Sequence, residues 1–426
     1  MPMKPMHVAI VGYGTAGQAA AILLARDGHH VEVFEQTARP GPVGAGILLQ
    51  PVGLQVLWHM ELLDTAVHFG RRIDRLYGES KAGRTVMDMR YRQLHPHMAG
   101  FGMQRGALFS ILADALPATV ELHCAHHITD ISEDGRRLGD AQGRRHGPFD
   151  LVLCADGAAS KLRAFAGTPR LDRPYPWGAL WCLVAQGTWP YPHELRQRYV
   201  GARRMIGLLP VGSRPGDPVP RLSFFWSLPT AGFEAWSAAG IGPWLEEIRA
   251  LWPEALASLA GVDRCDQLSR ASYRDAIPRH WQRGRMALLG DAAHAMSPQL
   301  GQGANMGLLD ALALRDTLRS AAPIEAALAS YQATRRAHVS AYQFWSRWLT
   351  PLFQSEGDLL AALRDLAFHP LGRTWGARTL MLRVLSGTQR GLFGQVKLSE
   401  AFLAALESAA RMDRGARAVD FPVHTH

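Results

Sequence analysis

The sequence predicts an α/β chain: a parallel-stranded nucleotide-binding unit assembled from separated pieces, a β-sheet unit interleaved between them, and a helical C-terminal region. Three segments predict it. His7-Val8-Ala9-Ile10-Val11-Gly12-Tyr13-Gly14-Thr15-Ala16-Gly17 reads as a strand, a glycine turn and a helix start. Leu151 to Gly157 reads as a strand ending in Asp156-Gly157, and Arg285 to Asn305 as a short strand ending in Gly290-Asp291 before a second glycine-rich helix start.

In the first segment, Val8 to Val11 is an unbroken apolar run of the kind buried in a parallel sheet. Gly12 permits the tight turn, Gly14 lets phosphates approach the backbone, and Gly17 lets the helix pack on the strand. Ala16 belongs to the same candidate cofactor-binding set. Ala19 to Leu24 continue as helix formers, Gly28 ends that helix, and His30 to Phe34 form the second strand. Glu35 follows at the position where a dinucleotide fold accepts hydrogen bonds from the adenosine ribose.

This fingerprint serves FAD and NAD alike, and the Arg285–Asn305 segment decides between them. Asp291 offers a carboxylate to a ribitol hydroxyl. Gly301 to Asn305 open a helix running through Leu308, Leu309, Leu312 and Leu314, so unpaired backbone N–H groups and a positive dipole end face outward. A flavin N1–C2=O edge, which gains negative charge on reduction, suits that end. The cofactor expected is FAD.

With these residues in place, the chain resembles class A flavoprotein monooxygenases, the para-hydroxybenzoate and salicylate hydroxylase superfamily. Three marks carry the resemblance: Gly12, Gly14 and Gly17; Asp156-Gly157 through Ser160, with Arg163 following; and Gly290-Asp291 through Pro298, Gly301, Gln302, Gly303, Ala304 and Asn305. Gly44-Ala45-Gly46-Ile47 and Gln104-Arg105-Gly106-Ala107-Leu108 also resemble the family's flavin-side loop and its ribitol- or phosphate-contacting arginine. The resemblance implies a Rossmann-like FAD-binding domain of the glutathione-reductase type. It implies that NAD(P)H reduces the flavin as a transient partner, O₂ adds to give a C4a-hydroperoxyflavin, and an apolar, aromatic small molecule is hydroxylated. It places Pro298 and Gly301 beside the reacting part of the flavin, Asp291 on ribitol, and Arg105, Asp156 and Gly157 on the ribitol–pyrophosphate part. The cofactor carries the hard step, so neither a triad nor a metal cluster is needed.

The FAD-binding domain is expected from residues 1–75, 101–167 and 281–322, the substrate-binding sheet from 76–100 and 168–280, and the helical region from 323–426. Trp177 to Val184 and Leu222 to Leu228 are strand candidates that roof the flavin, with Trp177, Trp181, Phe224 and Trp226 as candidate pocket aromatics and Pro243 to Leu259 as an amphipathic helix. Two C-terminal apolar clusters, Tyr342 to Phe353 and Thr379 to Phe393, fall short of the roughly 20 residues a bilayer span needs. They read as core packing, a homodimer interface or a weak membrane-surface contact.

At 426 residues the chain is long enough for two or three domain-sized units. Its charge of +9 is almost all arginine, scattered singly and in pairs, which argues against a nucleic-acid partner and would help attract NAD(P)H. Cys124, Cys154, Cys182 and Cys265 make no Cys-x-x-Cys pair and the N-terminus enters a strand at once, so a reduced, cytoplasmic setting is expected. No metal is expected. His123-Cys124-x-His126-His127 has the composition of a cluster, but strand alternation would send His126 and His127 to opposite faces. His294 reads as a structural or flavin-shell residue, and His424-Thr425-His426 as a disordered end.

Three rival functions share these residues. A Baeyer–Villiger or epoxidising enzyme would use the same flavin chemistry. A flavin-dependent halogenase needs a positioned lysine and a Trp-x-Trp-x-Ile-Pro motif, for which Lys81 and Trp226-Ser227-Leu228-Pro229 are poor matches. A non-enzymatic flavin-binding protein is the third. The site residues do not name the substrate.

Overall fold

The computed structural model describes residues 4–41, 44–320 and 323–419, so His424-Thr425-His426 lies outside the described residues. Its first layer is a six-stranded sheet in the order Gln282–Arg283, Met286–Leu288, Leu151–Cys154, His7–Val11, His30–Phe34, Glu121–His123. Every neighbouring pair is parallel except the Gln282–Arg283 edge. The three glycine-marked strands are therefore immediate neighbours, and their turns gather at one end of the sheet. Leu151–Cys154 and Met286–Leu288 are wholly buried apolar runs, as parallel strands covered on both faces must be. The fingerprint helix Thr15–Arg26 packs on the helix Gly303–Leu318, which brings the two glycine-rich helix starts side by side.

A seven-stranded sheet forms the second layer, in the order Ser269–Ala271, Trp177–Ala185, Asp217–Pro229, Arg204–Arg214, Glu194–Val200, Arg75–Ser80, Thr85–Arg90. One face buries Leu180, Phe224 and Trp226 against Trp244 and Ile248 of the helix Ile241–Leu251. The expected helix from Pro243 to Leu259 is two helices, Ile241–Leu251 and Pro253–Ser258. Pro253 causes the break, because its ring excludes Trp252 from helical geometry; Trp252 sits at φ −155°.

A second correction concerns the histidine run. The strand ends at His123, and Ala125 at φ +58° turns the chain, so the alternation expected through His126 and His127 does not apply. His126 instead joins a ring cluster with His123 and His146.

The C-terminal region is helical: Ile324–Phe353, Asp358–Arg373, Trp375–Ser386 and Glu400–Val419. The last docks Phe402, Leu403 and Leu406 into the main core. Leu359 and Trp375 are about three-quarters exposed. Among the described residues, no helix is long and apolar enough to cross a membrane.

Candidate functional site

The pyrophosphate end is shaped by crowding. Gly12 has φ +104°, and a Cβ there would lie 2.4 Å from Ala155 O; a Cβ on Gly17 would lie 2.0 Å from Gly12 O. Gly14 differs, since nothing lies within 4 Å of where its Cβ would be. It is the open side of the turn, next to a helix start that no side chain caps. Glu35 is fixed beside it: Tyr13 N donates to Oε2 at 2.9 Å and Thr37 N to Oε1 at 2.8 Å.

Asp156 and Arg105 come next along the cleft. Asp156 Oδ1 is buried without a partner, and burial raises its carboxyl above the usual range although Ser160 and Arg163 oppose the shift. A buried acceptor in this state calls for a donor from outside the chain. Arg105, first residue of the helix Arg105–Asp114, is exposed to the cavity and has no ion-pair partner among the described residues. Gly44, at φ +94°, lies against the Arg105 stem. Gly46 is pressed on the sheet, its N–H donating to Ser223 Oγ at 3.0 Å.

Arg163, fully buried, ties the Asp-Gly segment to the Gly-Asp segment. Its guanidinium donates to Ala292 O at 2.7 Å, Asp291 O at 3.0 Å, Ala158 O at 2.9 Å and Asp172 Oδ2 at 3.0 Å. The Asp291 backbone is thereby held while its side chain is left exposed to the cavity.

The end of the cleft that the sequence assigns to the flavin ring is a turn between two helices. Pro298–Leu300 is a single 3-10 turn, Gly301 follows at φ +61°, and the helix Gly303–Leu318 begins. Its first helical hydrogen bond runs from Met306 N to Gln302 O, so the N–H groups of Gly303 and Ala304, which line the cavity, have no helical partner. The Asn305 side chain is engaged within the protein: it accepts from Gln50 N at 2.9 Å and donates to Leu48 O at 3.1 Å. Asn305 is buried and lines none of the cavity, so it anchors the helix start and the Leu48–Gln50 segment.

His294 is structural. Its Nε2 donates to Asp310 Oδ2 at 2.6 Å, Gly290 N donates to the same oxygen at 2.8 Å, and Arg335 Nε donates to Oδ1 at 2.6 Å. Burial would raise the Asp310 carboxyl, but His294 and Arg335 outweigh it and hold it down at about 2. Neither Asp310 nor Arg335 carries a sequence signal; only their position next to the Gly-Asp turn identifies them.

A cavity of about 870 Å³ joins Arg105, Asp291 and the Pro298–Gly303 turn to the seven-stranded sheet and the C-terminal helices. Trp181 and its register partner Phe225 face it from the sheet, and Leu349, Leu380 and Met381 from the helices. Of the four aromatics expected there, Trp181 alone lines it; Phe224 and Trp226 are on the covered face with Trp244, because side chains alternate along the strand. Tyr273 was not anticipated. It lines the cavity, and its Oη accepts a hydrogen bond from Trp181 Nε1 at 3.1 Å. Lys81 sits on an exposed turn and Trp226 is buried away from the cavity, so the two residues a halogenase reading needs do not meet there.

The orphaned Asp156 oxygen, Arg105 without an ion-pair partner among the described residues, the open side of Gly14 and the helix N–H groups of Gly303 and Ala304 fit FAD. The FAD binding domain family matches residues 5–345. A 3-amino-4-hydroxybenzoate 2-monooxygenase of Streptomyces cremeus is 31% identical over 76% of this chain and 82% of its own. A putative 2-heptyl-3-hydroxy-4(1H)-quinolone synthase of Rhodococcus erythropolis is 28% identical over 80% and 87%. The crystal structure of PqsL of P. aeruginosa with 2-aminobenzoylacetate superimposes with a TM-score of 0.74, at 25% identity over 86% of this chain and 100% of that one.

Proposed function

The chain belongs to the FAD binding domain family, within the class A flavoprotein monooxygenases, and from that premise we propose that it hydroxylates an apolar aromatic molecule using NAD(P)H and O₂. The observation that carries this reading is the apolar cavity, faced by Trp181 and Phe225, that opens onto the Pro298–Gly303 turn. A relative named for acting on an aminohydroxybenzoate and one named as a heptyl-hydroxyquinolone synthase support an aromatic substrate. When bound, FAD supplies two-electron chemistry that consumes NAD(P)H and O₂, with one oxygen atom entering the product and the other leaving as water.

The chain's own residues bind, orient and exclude water. Gly14, Glu35, Arg105, Asp156 and Asp291 would hold the cofactor, and Pro298 and Gly301 would shape the space beside its ring. The aliphatic wall from Leu349, Leu380 and Met381 would limit water in that space. Tyr273 provides a directed donor. An indole N–H can only donate, so Trp181 makes the Tyr273 oxygen an acceptor and leaves the phenol proton for a substrate oxygen. Burial raises the phenol above its ordinary range, which keeps that proton in place at neutral pH. The substrate class that fits is a flat ring with an acceptor oxygen and an apolar remainder. A single dinucleotide fingerprint implies that NAD(P)H visits the same cleft and leaves.

The test is a screen of aromatic acids, phenols and quinolones against the FAD-loaded protein, reading NAD(P)H oxidation together with product mass. The expected result is stimulated oxidation with a product 16 mass units heavier, about one oxygen atom. Oxidation that yields hydrogen peroxide alone with every ring compound refutes it.

A further inference from the structure

Five ligand-bearing side chains, His7, His30, Glu32, Glu121 and His123, project from three adjacent parallel strands of the six-stranded sheet. Register puts them on one face: His7 pairs with His30 and Glu32 with Glu121, and the two-residue steps His30 to Glu32 and Glu121 to His123 stay on that face. Their polar atoms converge. His7 Nε2 lies 2.6 Å from Glu32 Oε1, His123 Nε2 2.9 Å from Glu32 Oε2, and His30 Nε2 3.1 Å from Glu121 Oε1. Ligand atoms of His7, His30 and Glu32 lie within 4.8 Å of one another, and so do those of Glu32, Glu121 and His123.

We propose that this cluster binds a divalent transition cation of the zinc class, held by Glu32, Glu121 and His123, whose ligand atoms lie within 4.8 Å of one another, with His7 on the far oxygen of Glu32. Imidazole nitrogens with carboxylate oxygens are the donor set that zinc accepts, and two carboxylates balance its charge. At metal–ligand distances of about 2.0–2.2 Å, ligands of a four-coordinate ion stand roughly 3.3 Å apart. The His123–Glu32 contact at 2.9 Å needs to open by only about 0.4 Å. Glu32 is 18% exposed and His123 31%, while Glu121 is 55% exposed, so the site is open to solvent at its Glu121 edge.

The neighbouring group His126, Asp140 and His146 is less suited. Asp140 is already occupied by Arg144 Nε at 2.6 Å and by the backbone N–H groups of Gln142 and Arg144, and His126 Nδ1 is 2.8 Å from Cys124 O. The Glu32 carboxylate has only the imidazoles. None of the five residues lines the flavin-side cavity, and His7 and His30 open strands whose opposite ends carry the glycine turn and Glu35. The cation would therefore join the strands His30–Phe34 and Glu121–His123 without entering the chemistry.

The experiment uses the untagged, FAD-loaded chain, stripped with EDTA and dialysed, then titrated with zinc chloride against a chromophoric chelator. The expected result is one zinc per chain at about micromolar Kd or tighter, a melting temperature that rises with zinc and falls again with EDTA, and an unchanged flavin spectrum. Glu32→Gln and His123→Asn should each weaken binding at least about tenfold, while His97→Ala, which alters a distant histidine paired with Glu407, should not. Using two substitutions keeps the test decisive if one fails to fold. Absence of stoichiometric zinc overturns the proposal, as does zinc bound equally well by both variants. Binding that survives Glu32→Gln but is lost in Asp140→Asn assigns the ion to the other group and also overturns it.

Discussion

Asp291→Ala separates a residue that builds the protein from one that waits for its cofactor. The Asp291 backbone oxygen is held by Arg163, but its carboxylate has no hydrogen bond from any described residue and is exposed to the cavity. Removing it should therefore cost the apo-protein within about 0.5 kcal/mol, the range of a surface change. On the proposed assignment the same carboxylate accepts from ribitol in the FAD-loaded protein, and a hydrogen bond to a charged group contributes about 1.5–3 kcal/mol. At about 1.4 kcal/mol per decade, Kd for FAD should rise roughly ten- to a hundredfold. A Cβ on Gly303 would stand 3.6 Å from Asp291 Oδ1, so a ribitol shift also moves the ring relative to the free N–H groups of that helix. Titrating FAD into apo-protein by flavin fluorescence, with apo melting curves and peroxide formed per NAD(P)H, gives the two readings. A Kd within about twofold of wild type would refute the ribitol assignment. A large loss of apo stability would show that the carboxylate serves the fold instead.

Gly12→Ala should yield chain that neither folds normally nor retains FAD, because the new Cβ meets Ala155 O at 2.4 Å and φ +104° is strained for alanine; yellow, soluble protein at wild-type yield would contradict this. Tyr273→Phe should raise KM for the hydroxylated substrate by about three- to tenfold, the worth of one hydrogen bond, with FAD affinity unchanged; an unaltered KM would remove Tyr273 from the substrate contact. His338 is held down at about 3 by burial and by Arg335, so the native imidazole stays neutral where the unfolded chain takes up a proton near pH 6.5. Its contribution is fully present above pH 6.5 and is lost as pH falls towards 3, at up to about 1.4 kcal/mol per pH unit. His338→Gln, which can still accept from Arg335 and donate to Gly387 O, should flatten that decline; parallel urea-unfolding midpoints between pH 7 and 5 would show that another group dominates.

The three glycine-marked strands were legible because each motif is local: an apolar run, a turn that only glycine can make, and a helix start. Their adjacency in the sheet follows from the single ligand they must share. Other features depended on contacts that a linear reading lacks. Alternation places Phe224 and Trp226 on one face and Phe225 on the other, but only the docking of Ile241–Leu251 decides which face is covered. A single proline divides the helix read through Trp252, and one left-handed residue, Ala125, ends the strand read through His126. Tyr273 is a lone tyrosine after a short strand, and its bond to Trp181 spans 92 residues.

The C-terminal helices emerge as part of the flavin site through charge buried behind it. Asp310 holds Gly290 and His294 on one side and Arg335 of the long helix on the other; Arg335 continues to His338 at 2.7 Å, and His338 to Gly387 O at 2.8 Å. Gln302, just before the free helix N–H groups, donates to Leu385 O at 2.7 Å, so the cavity-lining helix Trp375–Ser386 is tied directly to the glycine-rich turn. Removing one partner from such a buried array leaves an uncompensated charge, a loss of about 3–5 kcal/mol. The network constrains backbone position and leaves the cavity-facing side chains of Leu380 and Met381 outside it. Those positions can change the shape of the pocket while Asp291 and the helix start at Gly303 keep their places, which separates choice of substrate from retention of FAD.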